Sequence, residues 1–283
     1  MSTPHEAKVE KFYSSGLTGY HDYHGGFLSF GYWTRPGMSY IEAAHNLIDL
    51  LLKKLGLTNE SDLLDIGCGM GSQDIYIAKK TRPRSIAAID TTRIHIEIAK
   101  ERAKNSGVSE KDITFLYGTA VRMPFPDASF SHILSIEALE HLDTREAFFR
   151  EAFRVMKPGG IMAMSDYSLG RTPKNVFERA MLGLVAWLWR VPPANLYSNN
   201  EYEKKMEEAG FSNITIENVG KDVIPGYYYE HRKPAQKAAI RKVRGFWAGI
   251  VGGFIIDRGV FELYKSGLCE YIIVRAEKPN SQP

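Results

Sequence analysis

The chain has 283 residues, 44% of them hydrophobic, enough to bury one large core and more than a minimal α/β core needs. A net charge of +3 is too small to argue for nucleic acid, no nucleic-acid motif occurs, and the longest apolar run, residues 246–256, is too short and glycine-rich to span a bilayer. The opening residues carry no apolar signal segment, and the two cysteines, Cys68 and Cys269, read as reduced, mostly buried thiols, so a cytoplasmic location is expected.

The first 58 residues form an aromatic leader. Phe12-Tyr13, Tyr20, Tyr23, Phe27, Phe30 and Tyr32-Trp33 precede an amphipathic helix that carries Ala44, Leu47, Ile48, Leu51 and Leu52 on one face. Packing of that helix on the body of the protein explains any single aromatic. His21 and His24 flank Asp22 but lack the further clustered ligand that a metal site needs, and no metal is assigned.

Residues 63–71, Leu-Leu-Asp-Ile-Gly-Cys-Gly-Met-Gly, form a short apolar strand that ends in an acid and opens into glycines at every second position. Gly67, Gly69 and Gly71 let the chain turn tightly from strand to helix with a ligand against the backbone. Position 72, where a dinucleotide fingerprint places its third glycine, is serine. Asp65 is badly placed for a pyrophosphate and well placed for a cationic amino group. A second strand, residues 85–90, ends in Asp90, 25 residues after Asp65, close to the spacing that sets a carboxylate on a ribose diol. Strands follow at 113–117, 132–135 and 161–166. They are separated by Gly118-Thr119-Ala120, by Met123-Pro124-Phe125-Pro126-Asp127, by Glu137 to Leu142, and by a Lys157-Pro158-Gly159-Gly160 segment. Thr91 or Thr92, Asp143 or Thr144, and Ser198 or Asn199 are candidate helix caps.

Residues 168–258 interrupt this βα alternation. The first part, 176–189, is apolar on nearly every side and is expected to be buried, either on the core or around an acceptor cavity under a cap. The second part carries Lys221, Arg232, Lys233, Lys237, Arg241, Lys242 and Arg244 before Phe246-Trp247. It reads as a solvated basic face, with transient contact to an anionic membrane surface as the minority reading. A helix over 199–209 and strands at 214–219 and 269–276 complete a doubly wound, mostly parallel sheet.

Taken together, these motifs over about a hundred residues resemble those of class I S-adenosylmethionine-dependent methyltransferases. The resemblance implies a Rossmann-like seven-stranded sheet with an antiparallel last strand. It divides the chain into a leader and lid (1–58), a cofactor-binding core (59–167), and the rest of the core with substrate-cap insertions (168–283). It implies that S-adenosyl-L-methionine lies on Asp65, Gly67, Cys68, Gly69, Gly71, Asp90, Thr91, Thr119, Ala120, Ser135 and Ile136. Thr119 stands where the family usually has an acid, which leaves the adenine amino group to the Thr119 hydroxyl or to backbone near Ala120. Similar aromatic leaders fold over the cofactor in small-molecule methyltransferases, which makes Tyr13, Tyr23 and Trp33 lid residues; Glu137 and Trp187 are assigned to the acceptor.

Transfer from a sulfonium requires alignment, exclusion of water and, for a hydroxyl acceptor, a base. His141 and Asp166 stand at the carboxyl ends of the fourth and fifth strands, and the resemblance implies that they act as base and base partner. The alternative in which Glu137, Glu140 and His141 merely begin a helix stays open. The expected reaction is O-methylation of a hydrophobic polyketide, lipid, terpenoid or glycosylated product. C-methylation of a terpenoid, sterol or quinone ring is the alternative, N-methylation is third, and a non-catalytic cofactor-binding protein is the reading from another class. Oligomeric state and acceptor identity are not readable from the sequence.

Overall fold

The computed structural model describes residues 3–14, 24–239, 241–242 and 257–280. Tyr23, His21, Asp22 and the apolar run 246–256 lie outside the described residues. The described strands are β1 (Asp62–Ile66), β2 (Ser85–Asp90), β3 (Ile113–Tyr117), β4 (Phe130–Ile136), β5 (Met156–Leu169), β6 (Ser212–Asn218) and β7 (Cys269–Glu277). They form one sheet in the order β3-β2-β1-β4-β5-β7-β6. The first five strands in that order are parallel, and β7 runs antiparallel to both β5 and β6. The last strand therefore inserts between two others and leaves β6 at the edge.

The described helices are α1 (Pro4–Ser14), α2 (Tyr40–Leu55), α3 (Ser72–Thr81), α4 (Arg93–Asn105), α5 (Arg145–Val155), α6 (Val176–Leu188), α7 (Asn199–Glu208), α8 (Gly220–His231) and α9 (Asp257–Lys265). Ser39 opens α2 with a capping box to Glu42, Ser198 opens α7 with one to Glu201, and Thr144 opens α5 by accepting the Glu146 amide. Thr92 holds the cap position of α4 without a side-chain bond; the Asp90 carboxylate accepts its amide instead.

Helices cover both faces of the sheet, which is why Leu63, Leu64 and Ile66 of β1 are all buried. Successive residues alternate between the two cores. Leu63 packs with Leu47, Leu51, Ile77 and Phe115 on one side, and Leu64 packs with Ile133, Phe148 and Met206 on the other. The segment 156–160, which the sequence places ahead of the strand, joins β5 through a register break between the Phe130↔Met156 and His132↔Ile161 pairs. Strand order reverses between β1 and β4, and the loops that leave those two strands flank the crevice where such sheets take ligands.

Candidate active site

At the mouth of that crevice the loop after β1 runs with Gly67, Gly69 and Gly71 all in left-handed backbone. Gly69 has φ +52, and a β-carbon there would come within 3.0 Å of Leu28 from the leader. Gly71 makes room for something else: a β-carbon would meet Phe115 and Ala99, so its small size serves helix-to-strand packing rather than a ligand. The Gly69 amide donates to Asp90 Oδ2 at 2.9 Å and the Thr92 amide donates to Oδ1 at 2.7 Å. Burial alone would raise the Asp90 pKa, but His95 and these amides outweigh it and hold the carboxyl below its ordinary value. Asp90 and Thr91 line the cavity, together with Gly67, Cys68, Gly69, Ala120 and Ile136.

Three residues assigned to the cofactor from sequence sit behind this surface. Asp65 is fully buried beneath the loop, where Oδ2 accepts from Gln73 Nε2 at 2.5 Å, and it is Gln73 that lines the cavity. Burial raises Asp65 to about 6 although the hydrogen bonds from Gln73 and Asp74 pull the other way, and burial with the Asp65 charge raises Asp74 well above its ordinary value. Ser135 is buried in the sheet and donates to the Ile66 carbonyl at 3.1 Å. Thr119 donates its hydroxyl to Glu6 of α1, so that hydroxyl is occupied from the side of the leader. Burial raises the Cys68 thiol well above its ordinary value, which keeps it protonated.

One face of α1 closes the cavity. Glu6, Val9 and Tyr13, at helical spacing, all line it. Tyr13 Oη lies 2.8 Å from His141 Nε2 with the two rings edge to face, and Glu140 Oε1 lies 3.9 Å from the same nitrogen. Burial pulls the His141 pKa down to about 4; the Arg190 carbonyl offsets this in part, although Nδ1 makes no hydrogen bond of normal geometry. Burial pushes Glu140 well above its ordinary value, helped by the charges of Asp166 and Glu137. Glu137, just past β4, is a non-glycine residue at φ +51, and its Oε1 accepts from the Phe30 amide at 2.7 Å and from the Tyr271 hydroxyl at 2.6 Å. Burial raises it to about 7 despite those donors.

The structure does not bring Asp166 to His141. Its two oxygens accept from Arg145 Nε at 2.6 Å and Nη2 at 2.8 Å, from the Tyr202 hydroxyl at 2.9 Å, and from the Tyr167 amide at 2.7 Å. Arg145 and Asp166 are both fully buried, a bidentate pair that ties the start of α5 to the end of β5. The carboxyl beside His141 is that of Glu140.

Beyond Glu140 lies a second, apolar cavity lined by Leu169, Leu182, Val185, Val191, Leu196 and Val260, among others. Glu140 and Trp189 line both cavities and form the seam between them. Trp187 is 65% exposed and belongs to neither; α6 also exposes Val176 and Phe177, so the helix expected to be buried all round shows an apolar side among the described residues. Trp33 donates its ring N–H to the Phe30 carbonyl at 2.9 Å and packs against Gly226, which fastens the leader to α8 instead of covering the cavity. His24 is buried, stacked on Tyr40 and bonded to Gln236, and burial lowers its pKa to about 3. Among the described residues no group of three or more histidine, cysteine, aspartate or glutamate side chains is placed to hold a metal, and no helix is long and apolar enough to cross a membrane. Sequence reasoning missed Glu6, Gln73, Glu140 and Trp189 as lining residues. A Thr-x-x-Glu cap signal marks Glu6 at Thr3, but nothing in it indicates which cavity the helix faces.

Residues 64–164 match the family model described as a methyltransferase domain. The chain is 30% identical over 259 residues, 89% of its length and 90% of the relative's, to the 27-O-demethylrifamycin SV methyltransferase of Amycolatopsis mediterranei. It is 29% identical over 270 residues, 91% of its length and 85% of the relative's, to the erythromycin 3''-O-methyltransferase of Saccharopolyspora erythraea. Among solved structures, the geranyl diphosphate C-methyltransferase of Streptomyces coelicolor A3(2), in complex with Mg2+, geranyl diphosphate and S-adenosyl-L-homocysteine, superposes with a TM-score of 0.73 at 17% identity, covering 98% of this chain and 99% of that one. The chain belongs to the S-adenosylmethionine-dependent methyltransferases of the class I fold. S-adenosyl-L-methionine is its cofactor and methyl transfer its chemistry. The residues present fit that group: a glycine loop whose backbone lies open to the cavity, a carboxylate at the tip of β2, and a small-residue wall at Gly118 and Ala120.

Proposed function

We propose that this enzyme methylates a hydroxyl of a hydrophobic, polyketide-derived or glycosylated small molecule, with the acceptor seated in the apolar cavity and its hydroxyl presented at the seam marked by Glu140 and Trp189. When bound, S-adenosylmethionine supplies a methyl group already activated on a sulfonium. The protein aligns the acceptor, excludes water, and receives one proton. His141 is the receiving group. Its depressed pKa leaves the imidazole neutral at neutral pH and able to accept, while Tyr13 and Glu140 beside Nε2 hold the ring. Asp90, with the loop around Gly67, Gly69 and Gly118, grips the adenosine, and α1 with Leu28 forms the lid. Arg145–Asp166 acts at one remove, by fixing the ends of β5 and α5.

The observation that carries this reading is the Tyr13–His141–Glu140 contact at the junction of a cofactor-type cavity and an apolar one. The O-methyltransferases of the erythromycin and rifamycin series, similar along nearly the whole chain, support a hydroxyl acceptor. In the test, His141→Ala and His141→Gln are compared with the wild type on macrolide and ansamycin hydroxyl acceptors. Turnover falls by roughly 10²- to 10⁴-fold, while binding of S-adenosylhomocysteine stays within about threefold. Unchanged turnover, or a product methylated on carbon, overturns it. The second outcome would favour the C-methyl reading, which the aromatic rings of Tyr167 and Trp189 beside Glu137 and Glu140 also accommodate.

A further inference from the structure

The core of this chain lacks an acid at Thr119, and the leader places one there. Glu6 is 3% exposed, lines the cofactor cavity, and has its Oε1 on the Thr119 hydroxyl, next to Gly118 and Ala120 at the adenine end of the crevice. Its Oε2 accepts the Thr3 amide at 2.8 Å, and the Glu6 amide donates to Thr3 Oγ1 at 3.1 Å, so the capping box of α1 fixes the side chain in place. Among the described residues no cation pairs with Glu6. A carboxylate has about four acceptor positions, and here the recorded bonds use two of them. A buried carboxylate with spare acceptor capacity and no cation is costly unless a further donor completes it. Seven residues on, Tyr13 reaches His141; at 1.5 Å per residue that is about 10 Å along the helix, so one rigid face of α1 touches both the adenine end and the reacting end of the cavity.

We infer that Glu6 is the adenine-recognition acid of this enzyme, accepting the exocyclic amino group of the cofactor's base, so that a residue of the lid takes the role usually filled from the sheet. The inference rests on S-adenosylmethionine occupying the crevice as proposed above. Cofactor specificity and the seating of α1 then share one side chain, Glu6.

The test is calorimetric titration of the wild type, Glu6→Gln, Glu6→Ala and Glu6→Ala/Thr119→Asp with S-adenosylhomocysteine and with S-inosylhomocysteine, which carries an oxo group where adenine has the amino group. The wild type prefers the adenosyl compound by about tenfold or more, as expected for a donor lost to a charged acceptor. In Glu6→Ala the preference collapses to within about threefold, and Thr119→Asp in that background restores it. Glu6→Gln keeps the helix cap and shows an intermediate preference, which guards against Glu6→Ala acting through loss of α1. If Glu6 only caps its helix, both ligands weaken equally and the preference survives in Glu6→Ala, which overturns the inference. A wild type that binds neither compound defeats the cofactor reading itself.

Discussion

Glu137 sits at φ +51 at the tip of β4, a conformation that costs a non-glycine residue energy and recurs where a side chain must be aimed. The backbone turns its carboxyl inward onto the Phe30 amide and Tyr271, and burial raises it from an ordinary 4.5 to about 7. The folded protein thus binds this proton more tightly than the unfolded chain. The resulting stability is complete below about pH 4.5 and is lost as pH rises through about 7. Glu137→Gln removes that loss: thermal unfolding at pH 5 and pH 8 should show the variant gaining on the wild type at the higher pH by roughly 2–4 °C or more. Parallel curves would mean that the carboxyl titrates normally. The raised state of Glu137 is not legible in the sequence, because it depends on Phe30 and Tyr271, brought from far along the chain. The place of Asp90 at the cavity is legible, because the strand that carries it and the loop whose Gly69 amide it accepts belong to one local βαβ unit.

At the scale of elements, an acid that ends a strand reads identically whether it faces a ligand or an arginine. Strand-end position and the family resemblance both point Asp166 to catalysis, and the structure gives it to Arg145, the first residue of α5, with Tyr197 and Tyr202 rings on the guanidinium. The pair is fully buried, so removing one partner leaves an uncompensated charge. Arg145→Met should cost about 3–5 kcal/mol in urea unfolding, and Arg145→Met/Asp166→Leu should recover much of it, since a well-packed apolar replacement for a buried ion pair is often neutral. A loss below about 1 kcal/mol in the single variant would mean that the pair is hydrated. The caps at Thr144 and Ser198 and the buried face of α2 followed from periodicity because they obey local rules. The exposure of Phe177 and Trp187 on α6 did not, since apolar content reports only that a surface prefers cover.

For the whole molecule, alternation of strands and helices made the parallel part of the sheet readable, whereas the placing of β7 between β5 and β6 depends on a return across the sheet that no local pattern records. The leader is the part with most bearing on how the enzyme works. With Glu6 on Thr119 and Tyr13 on His141, α1 lies over the crevice. On the lid role proposed above, the spent nucleoside leaves only once this helix lifts, and the expectation is that opening, rather than the chemical step, limits the steady state. Rapid mixing with a good acceptor should reveal a burst of about one methylated molecule per active site before slower cycling sets in. Weakening the clasp with Tyr13→Phe should quicken the slow phase while leaving the burst amplitude in place. A linear time course from the first milliseconds would show that the door swings faster than the methyl moves.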